Sequence, residues 1–309
     1  MHDITHEIAR ALAEGRGVVA LESTLIAHGL PFPDNLEVAR ACEAAVREAG
    51  AVPATIAVLG GRVRVGLDAA DLDRLARPGT ILKASRRDLA WAVARGLDAA
   101  TTVSATLRIA RRAGIGVMAT GGLGGVHRDA STSFDVSTDL DELADADGMA
   151  VVCSGVKSIL DVPATLEVLE TRGVAVVGYR TDCFPAFTST GDEHRLDARV
   201  ESPGEVADLI RAHRDLALPG AVVVAQPVPE ADALDRAAME TALAEAQAAA
   251  RDQGVVGKAI TPFLLDHLRH ATEGRSLRAN RSLIVNNARL AGEVAASLAG
   301  LTPRPSGPG

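Results

Sequence analysis

Short β-branched runs recur along the chain with segments of helical period between them, and this alternation constrains the fold more than any other feature. It is the pattern of an α/β fold with a largely parallel sheet. The first run, Val18-Val19-Ala20-Leu21, ends in Glu22-Ser23-Thr24 and passes through Gly29, Pro31 and Pro33 to Asp34. Asp34 stands three residues before Glu37 in the spacing of a capping box, so a helix is expected from there to Gly50. Thr55-Ile56-Ala57-Val58-Leu59 and Val63-Arg64-Val65 flank Gly60-Gly61 at near-hairpin spacing, which predicts one antiparallel excursion and a mixed, mostly parallel sheet. Later runs are Thr80-Ile81-Leu82, Ile115 to Ala119, Met149 to Cys153, Val174 to Val177 and Ala221 to Val224, about seven or eight strands altogether. From Asp232 the character changes to a C-terminal helical segment, Ala-rich and running to Leu301, with breaks at Gly254, Gly257, Pro262 and Gly274. No repeat of solenoid length and no low-complexity linker divides the chain. Residues 1–301 are therefore expected to form a single domain, followed by a Pro/Gly-rich, disordered tail over 302–309.

Composition narrows the classes of function. Of 309 residues 47% are hydrophobic, yet only 5 Phe, 1 Trp and 1 Tyr are aromatic, so the core is built from Ala, Val, Leu and Ile. Lys plus Arg number 32 against 40 Asp plus Glu, a net charge of -8 that disfavours a nucleic-acid partner, because neutralising phosphates supplies most of that affinity. Cys42, Cys153 and Cys183 show neither CxxC nor Cys/His spacing, so no disulfide framework or zinc site is expected and a reducing cytoplasm fits. The N-terminus lacks a basic stretch followed by an apolar one, and the apolar runs stop short of the ~18 residues a membrane span needs. A soluble, unprocessed protein with no membrane partner is expected.

In an open α/β sheet ligands gather at the carboxyl ends of the strands, so the polar residues just after each run are the candidates. Glu22, Lys83, the loop Gly121-Gly122-Leu123-Gly124-Gly125 and Ser154-Gly155-Val156-Lys157 all occupy such positions. The double-glycine loop is either an anion nest of inward backbone N–H groups or a surface loop; it is neither a Walker loop nor a GxGxxG fingerprint. Lys83-Ala84-Ser85-Arg86-Arg87 offers cations for the same anion, or else a solvated helix start. Lys157 is expected at the start of a helix over 156–170, where the macrodipole disfavours an ammonium and leaves a nucleophile able to form an imine; the alternative is an exposed lysine. Glu22 is either a general acid whose pKa burial raises or a partner in a surface ion pair. The segment 134–142 carries four carboxylates and two hydroxyls, suited to Mg²⁺ or Mn²⁺, unless Ser137 or Thr138 simply caps an acidic helix. His28 and His127 are loop histidines able to meet phosphate or base, and Cys153 reads as core.

With these segments in register, the sequence resembles the pseudouridine-5'-phosphate glycosidase family, also called pseudouridylate synthase or indigoidine synthase A-like. The matching stretches are Ala20 to Thr24 with His28 to Pro33, Lys83 to Leu89, Thr101 to Val103, Gly121 to Arg128, Phe134 to Leu140, Ser154 to Asp161 and Ser276 to Asn280, in the family's order across nearly the whole chain. The resemblance implies a three-layer α/β/α fold, a homotrimer, and a lyase that reversibly cleaves the C–C glycosidic bond of pseudouridine 5'-phosphate to uracil and ribose 5-phosphate, assisted by a divalent metal, usually Mn²⁺. It implies Lys157 as the nucleophile forming an imine with C1' of ring-opened ribose and Glu22 as the proton donor. Lys83, Ser137, Thr138, Asp139, Asn280 and His127 would contact substrate, Val103 would line the pocket, and Asp135 would bind metal through a largely water-filled shell. Ser137-Thr138-Asp139 departs mildly from the family's Ser-Ala-Asp. Elementary chemistry agrees at the hardest step: a C–C bond has no heteroatom leaving group, so an imine must serve as electron sink and an acid must protonate the departing carbon. Two rivals remain at this level, an aldolase-like lyase on a sugar phosphate and a non-catalytic phosphosugar-binding module.

Overall fold

The computed structural model describes residues 2–189, 193–255 and 260–300. Its strands are β1 (His2–Ile4), β2 (Val18–Leu21), β3 (Val52–Leu59), β4 (Arg62–Val65), β5 (Leu82–Ala84), β6 (Ala99–Thr101), β7 (Val117–Ala119), β8 (Val126–His127), β9 (Ala150–Cys153), β10 (Leu160–Asp161), β11 (Ala175–Tyr179), β12 (Arg199–Val200) and β13 (Val222–Ala225). The helices are α1 (His6–Ala13), α2 (Asp34–Glu48), α3 (Ala69–Ala76), α4 (Leu89–Ala94), α5 (Val103–Arg112), α6 (Ala130–Ser133), α7 (Thr138–Asp145), α8 (Val162–Thr171), α9 (Pro203–Asp215), α10 (Arg236–Asp252), α11 (Ile260–Ala271) and α12 (Arg275–Ala299).

The main sheet runs β1-β4-β3-β2-β7-β9-β13-β11-β12, with β6 pairing the far half of β3 and β5 pairing β6. Every pair is parallel except β3–β4 and β3–β6, so the expected mixed sheet and its Gly60-Gly61 hairpin are both present. From β2 the chain steps one way through α2 to β3, then returns through α5 to β7 on the other side of β2. Right-handed crossovers in opposite directions place their helices on opposite faces. Accordingly α12 packs on α2 and α9 over β2, β7 and β9, while α5 packs on α7, which touches α8. Three layers result, and β2, β3, β9 and β13 are buried along their whole length, as strands covered on both faces must be. The main hydrophobic core extends from Ile8 to Ala295, rich in Val, Ala and Leu as composition required, and a smaller cluster around Ile26, Leu59 and Leu75 packs α3 against α2 and β3.

Several local expectations change. The short strands β1, β6, β8, β10 and β12 lack a readable β-branched run, so the described strands outnumber the expectation. The run at 80–82 pairs two residues later, over Leu82–Ala84, because Leu82 is in register with Ala99. Lys83 thus lies within a strand, not after one. Asp34 is the first helical residue behind Pro33 and makes no side-chain cap, so the capping box is not formed. The helix expected at 156–170 begins only at Val162, capped by Asp161, whose carboxylate accepts from the Ala164 amide at 2.9 Å. Gly254 and Gly274, both at positive φ, do separate helices, but Pro262 falls inside the first turn of α11. Gly257 and the tail 302–309 lie outside the described residues.

Glu43 on α2 accepts a hydrogen bond from Thr55 Oγ1 of β3 at 2.5 Å. Burial, outweighing that bond, holds its carboxyl above the ordinary value of 4.5. The folded chain therefore binds this proton more tightly than the unfolded chain, so the contribution is complete below pH 4.5 and is lost as pH rises through the folded value. Glu43→Gln, which keeps an acceptor for Thr55 without the charge, is expected to raise stability at pH 8 by up to about 1 kcal/mol. The gain should vanish near pH 4, as read by denaturant unfolding at the two pH values.

Candidate functional site

The reversal of crossover direction makes the crevice between β2 and β7 the switch point of the sheet, where side chains at the carboxyl ends converge on open space. Leu21 is in register with Ala119, and Ala119 with Val152, so the next residues, Glu22, Thr120 and Cys153, form a row. Above it lies a cleft of ≈ 500 Å³ whose wall includes Glu22, Lys83, His127, Asp135, Lys157 and Asn280. Residues from six separate segments meet there.

Glu22, half-buried directly after β2, accepts hydrogen bonds from the Thr24 and Thr120 hydroxyls. Two donors fix the direction of its carboxylate. Lys157 is half-buried in the loop after β9, its amide donating to the Leu123 carbonyl at 3.2 Å. Because α8 starts five residues later, the helix macrodipole does not act on Lys157 as the sequence suggested. Gly155 just before it sits at φ 77, and a Cβ there would collide with the Pro185 carbonyl, so this turn requires glycine.

The double-glycine loop also differs from expectation. Gly121, Gly122, Gly124 and Gly125 are not at positive φ, and the amides of Leu123, Gly124 and Val126 donate to Gly155 O, Asp139 Oδ2 and Thr165 Oγ1. These three amides hold the loop instead of forming an anion nest. Its glycines serve close approach: a Cβ on Gly122 would lie 2.8 Å from the Phe187 ring, and one on Gly124 2.7 Å from Asp139 Oδ2.

The start of α7 forms a further part of the wall, packed against the glycine loop at Gly124. Ser137 is its N-cap, with Oγ accepting from the Asp139 amide at 3.2 Å, so the capping alternative is realised. Thr138 Oγ1 lies 3.2 Å from Ser104 Oγ. Asp139 is buried, its two oxygens accepting from the Ser104 amide at 2.9 Å and the Gly124 amide at 3.0 Å. It lines the cleft while tying α5 to the glycine loop. Asp135 is 40% exposed, with Oδ2 3.8 Å from His127 Nε2. A single accessible carboxylate in an open cleft suits a hard cation that keeps most of its water. Among the described residues no group of three His, Cys, Asp or Glu could hold a metal without water.

Lys83 reaches the cleft from β5 beside His28, whose imidazole is held below its ordinary value by burial and then by the Lys83 charge. Arg86 pairs with Glu142, Asp145 and Asp141, so it braces the wall, whereas the exposed Arg87 lines the cleft. Val103 is buried at the start of α5 and its side chain does not reach the cleft surface. Cys153 is core, its thiol pushed up to about 12 by burial. Phe187 also lines the cleft, its amide donating to the Ser154 carbonyl at 3.1 Å and its ring packed on Gly122; it lies in an irregular segment whose sequence carries no periodicity to mark it.

Fold and cleft define a doubly wound α/β protein with a lysine and a carboxylate at its switch point. The chain belongs to the family described as indigoidine synthase A like protein, whose model matches residues 7–297. It is 52% identical over 296 residues to the pseudouridine-5'-phosphate glycosidase of Caldanaerobacter subterraneus subsp. tengcongensis, covering 96% of each chain. To the protein of that name from Streptomyces griseus subsp. griseus it is 54% identical over 297 residues, covering 96% of this chain and 92% of the relative. A crystal structure of the prealnumycin C-glycosynthase AlnA in complex with ribulose 5-phosphate superposes with a TM-score of 0.89 at 44% identity, covering 97% of each chain.

The packing of Gly124 gives a direct test of the wall. Gly124→Ala is expected to cost about 1–3 kcal/mol of stability by driving Ser137 and Asp139 outward. Adding Ser137→Gly should restore part of the lost Tm, since it removes one of the two groups the new methyl strikes.

Proposed function

We propose that this chain is a pseudouridine-5'-phosphate glycosidase, cleaving the C–C bond between ribose C1' and uracil C5 to give uracil and ribose 5-phosphate, and able to run in reverse. The observation that carries the reading is that Glu22 and Lys157, from different strand ends, line one cleft together with Lys83. Relatives of that name at more than half identity over nearly the whole chain support it, as does a sugar phosphate bound to a structural neighbour.

The proposed chemistry follows from the missing heteroatom. Lys157 Nζ bonds to C1' while the C1'–O4' bond breaks and opens the ribose ring, the ring oxygen taking the proton that the nitrogen gives up. Glu22 delivers a proton to uracil C5, the C1'–C5 bond breaks, and the nitrogen lone pair closes the C=N bond of an imine. Water then hydrolyses the protonated imine, releasing ribose 5-phosphate, restoring the lysine and returning a proton to Glu22. The hydroxyls of Thr24 and Thr120 hold the Glu22 carboxyl in place for this transfer. Lys83, Asn280, His127, Ser137, Thr138 and Asp139 belong to the proposed substrate wall, with Val103 beneath it. A divalent cation, Mn²⁺ in this reading, would be held by Asp135 through water and would neutralise phosphate charge.

The same reading takes the protein to be a cytoplasmic homotrimer. No described helix is long and apolar enough to cross a membrane, and the exposed Trp91, 60% accessible, and Phe32, 45%, are apolar surface that assembly would cover. Light scattering on purified protein tests the trimer.

The decisive experiment incubates the protein with uracil, ribose 5-phosphate and Mn²⁺, then traps with borohydride and maps the added mass. Pseudouridine 5'-phosphate and a pentose phosphate adduct on Lys157 are expected. Lys157→Ala should yield neither, and Glu22→Gln should keep the adduct while slowing turnover by about 10²- to 10⁴-fold. An adduct without the nucleotide would instead indicate aldolase-like cleavage. Chelation with EDTA is expected to suppress turnover, and added Mn²⁺ to restore it.

A further inference from the structure

Asn287 is fully buried on α12, far along the sequence from every proposed reacting group. Its Nδ2 donates to the Thr120 carbonyl at 2.9 Å and lies 3.4 Å from that of Gly121. Its amide also meets the Ser154 hydroxyl, with Nδ2 at 3.1 Å and Oδ1 at 3.3 Å. One side chain therefore grips the loops that follow β7 and β9 at their roots.

Both loops lead directly to the chemistry. Thr120 uses its hydroxyl to hold Glu22. Ser154 opens the turn that ends in Lys157, and this turn is zipped to the glycine loop. The Ser154 amide donates to Gly121 O at 2.9 Å, the Leu123 amide to Gly155 O at 2.9 Å, and the Lys157 amide to Leu123 O at 3.2 Å. We propose that Asn287 is a positioning residue that sets the separation of Glu22 and Lys157 by clamping the two loops to α12. This rests on the reading of Glu22 as acid and Lys157 as nucleophile. Without the amide, the Thr120 carbonyl and the Ser154 hydroxyl lose this partner while the Gly121 carbonyl keeps the Ser154 amide, and the loops are freed to shift at the point where the row of strand ends begins.

The test compares Asn287→Ser, Ser154→Ala and a control, Leu290→Ala, which removes a buried side chain of the same helix about one turn beyond Asn287, toward the Ala295–Gly17 contact at the other ends of the strands. Asn287→Ser is expected to lower kcat for pseudouridine 5'-phosphate cleavage by about 10- to 100-fold, as misplacement by a fraction of an ångström does, with KM changed less than about 3-fold. Borohydride trapping on Lys157 should slow, because the turn that carries it is no longer held against the loop that bears Thr120. Ser154→Ala, which leaves the carbonyl bonds, should show a smaller change in the same direction. Leu290→Ala should lower Tm while the folded enzyme keeps its kcat and its trapping rate. The inference is overturned if both loop variants lose kcat only as the control does, or if their trapping rate matches wild type. Failure of wild type to turn over or trap would overturn the reading of the site and the clamp with it.

Discussion

The parallel register of β2, β7 and β9 is the constraint on which the site depends. Leu21, Ala119 and Val152 lie side by side, so the chain leaves three neighbouring strands at one level, and whatever follows them is forced into contact. That places the Thr120 hydroxyl on the Glu22 carboxylate and brings the Lys157 turn against the glycine loop. A slip of one residue in any of these strands would turn the row to the opposite face of the sheet. Register is defended by burial, since β2 and β9 have no solvent face on which a slipped arrangement could rest.

Close approach is the second theme. Glycine in the loop after β7 is needed for the space its missing side chain leaves to Phe187, Ser137, Asp139 and Thr165, not for unusual dihedrals. The same holds at Gly17, where a Cβ would lie 2.6 Å from the Ala295 carbonyl carbon of α12. That contact seats the C-terminal helix directly on the sheet and so brings Asn287 within reach of the strand-end loops.

The part of the wall built from the start of α7 has an electrostatic brace. Glu142 on α7 is wholly buried, with Arg108 of α5 at 2.9 Å and Arg86, beside the Lys83 strand, at 3.2 Å. Burial acts to raise its carboxyl while the two guanidinium groups oppose it. A buried ion group of this kind adds little net stability over an apolar replacement, because desolvation offsets attraction. Its value is geometric: it joins the two segments that carry Lys83 and the Ser137–Asp139 turn.

The three layers and Asn280 entered only through the resemblance to the family, while the sequence by itself determined the α/β alternation, the hairpin at Gly60-Gly61, the helical C-terminal segment and the strand-end candidates of the cleft. These follow from hydrophobic period, turn chemistry and strand-end position, all local in the chain. Glu22, the glycine loop and Lys157 were legible for that reason. Tertiary structure alone decided the rest. The pairing of Leu82 with Ala99 moved a strand onto Lys83, and the late start of α8 removed the dipole from Lys157. Asp139 became a tie between α5 and the glycine loop. Thr120, Phe187 and Asn287 acquired their roles from partners dozens to more than a hundred residues away. Hydrogen-bond complementarity and close packing across such separations leave no periodic trace in a sequence, because they depend on where strands end in space and not on what precedes them in the chain.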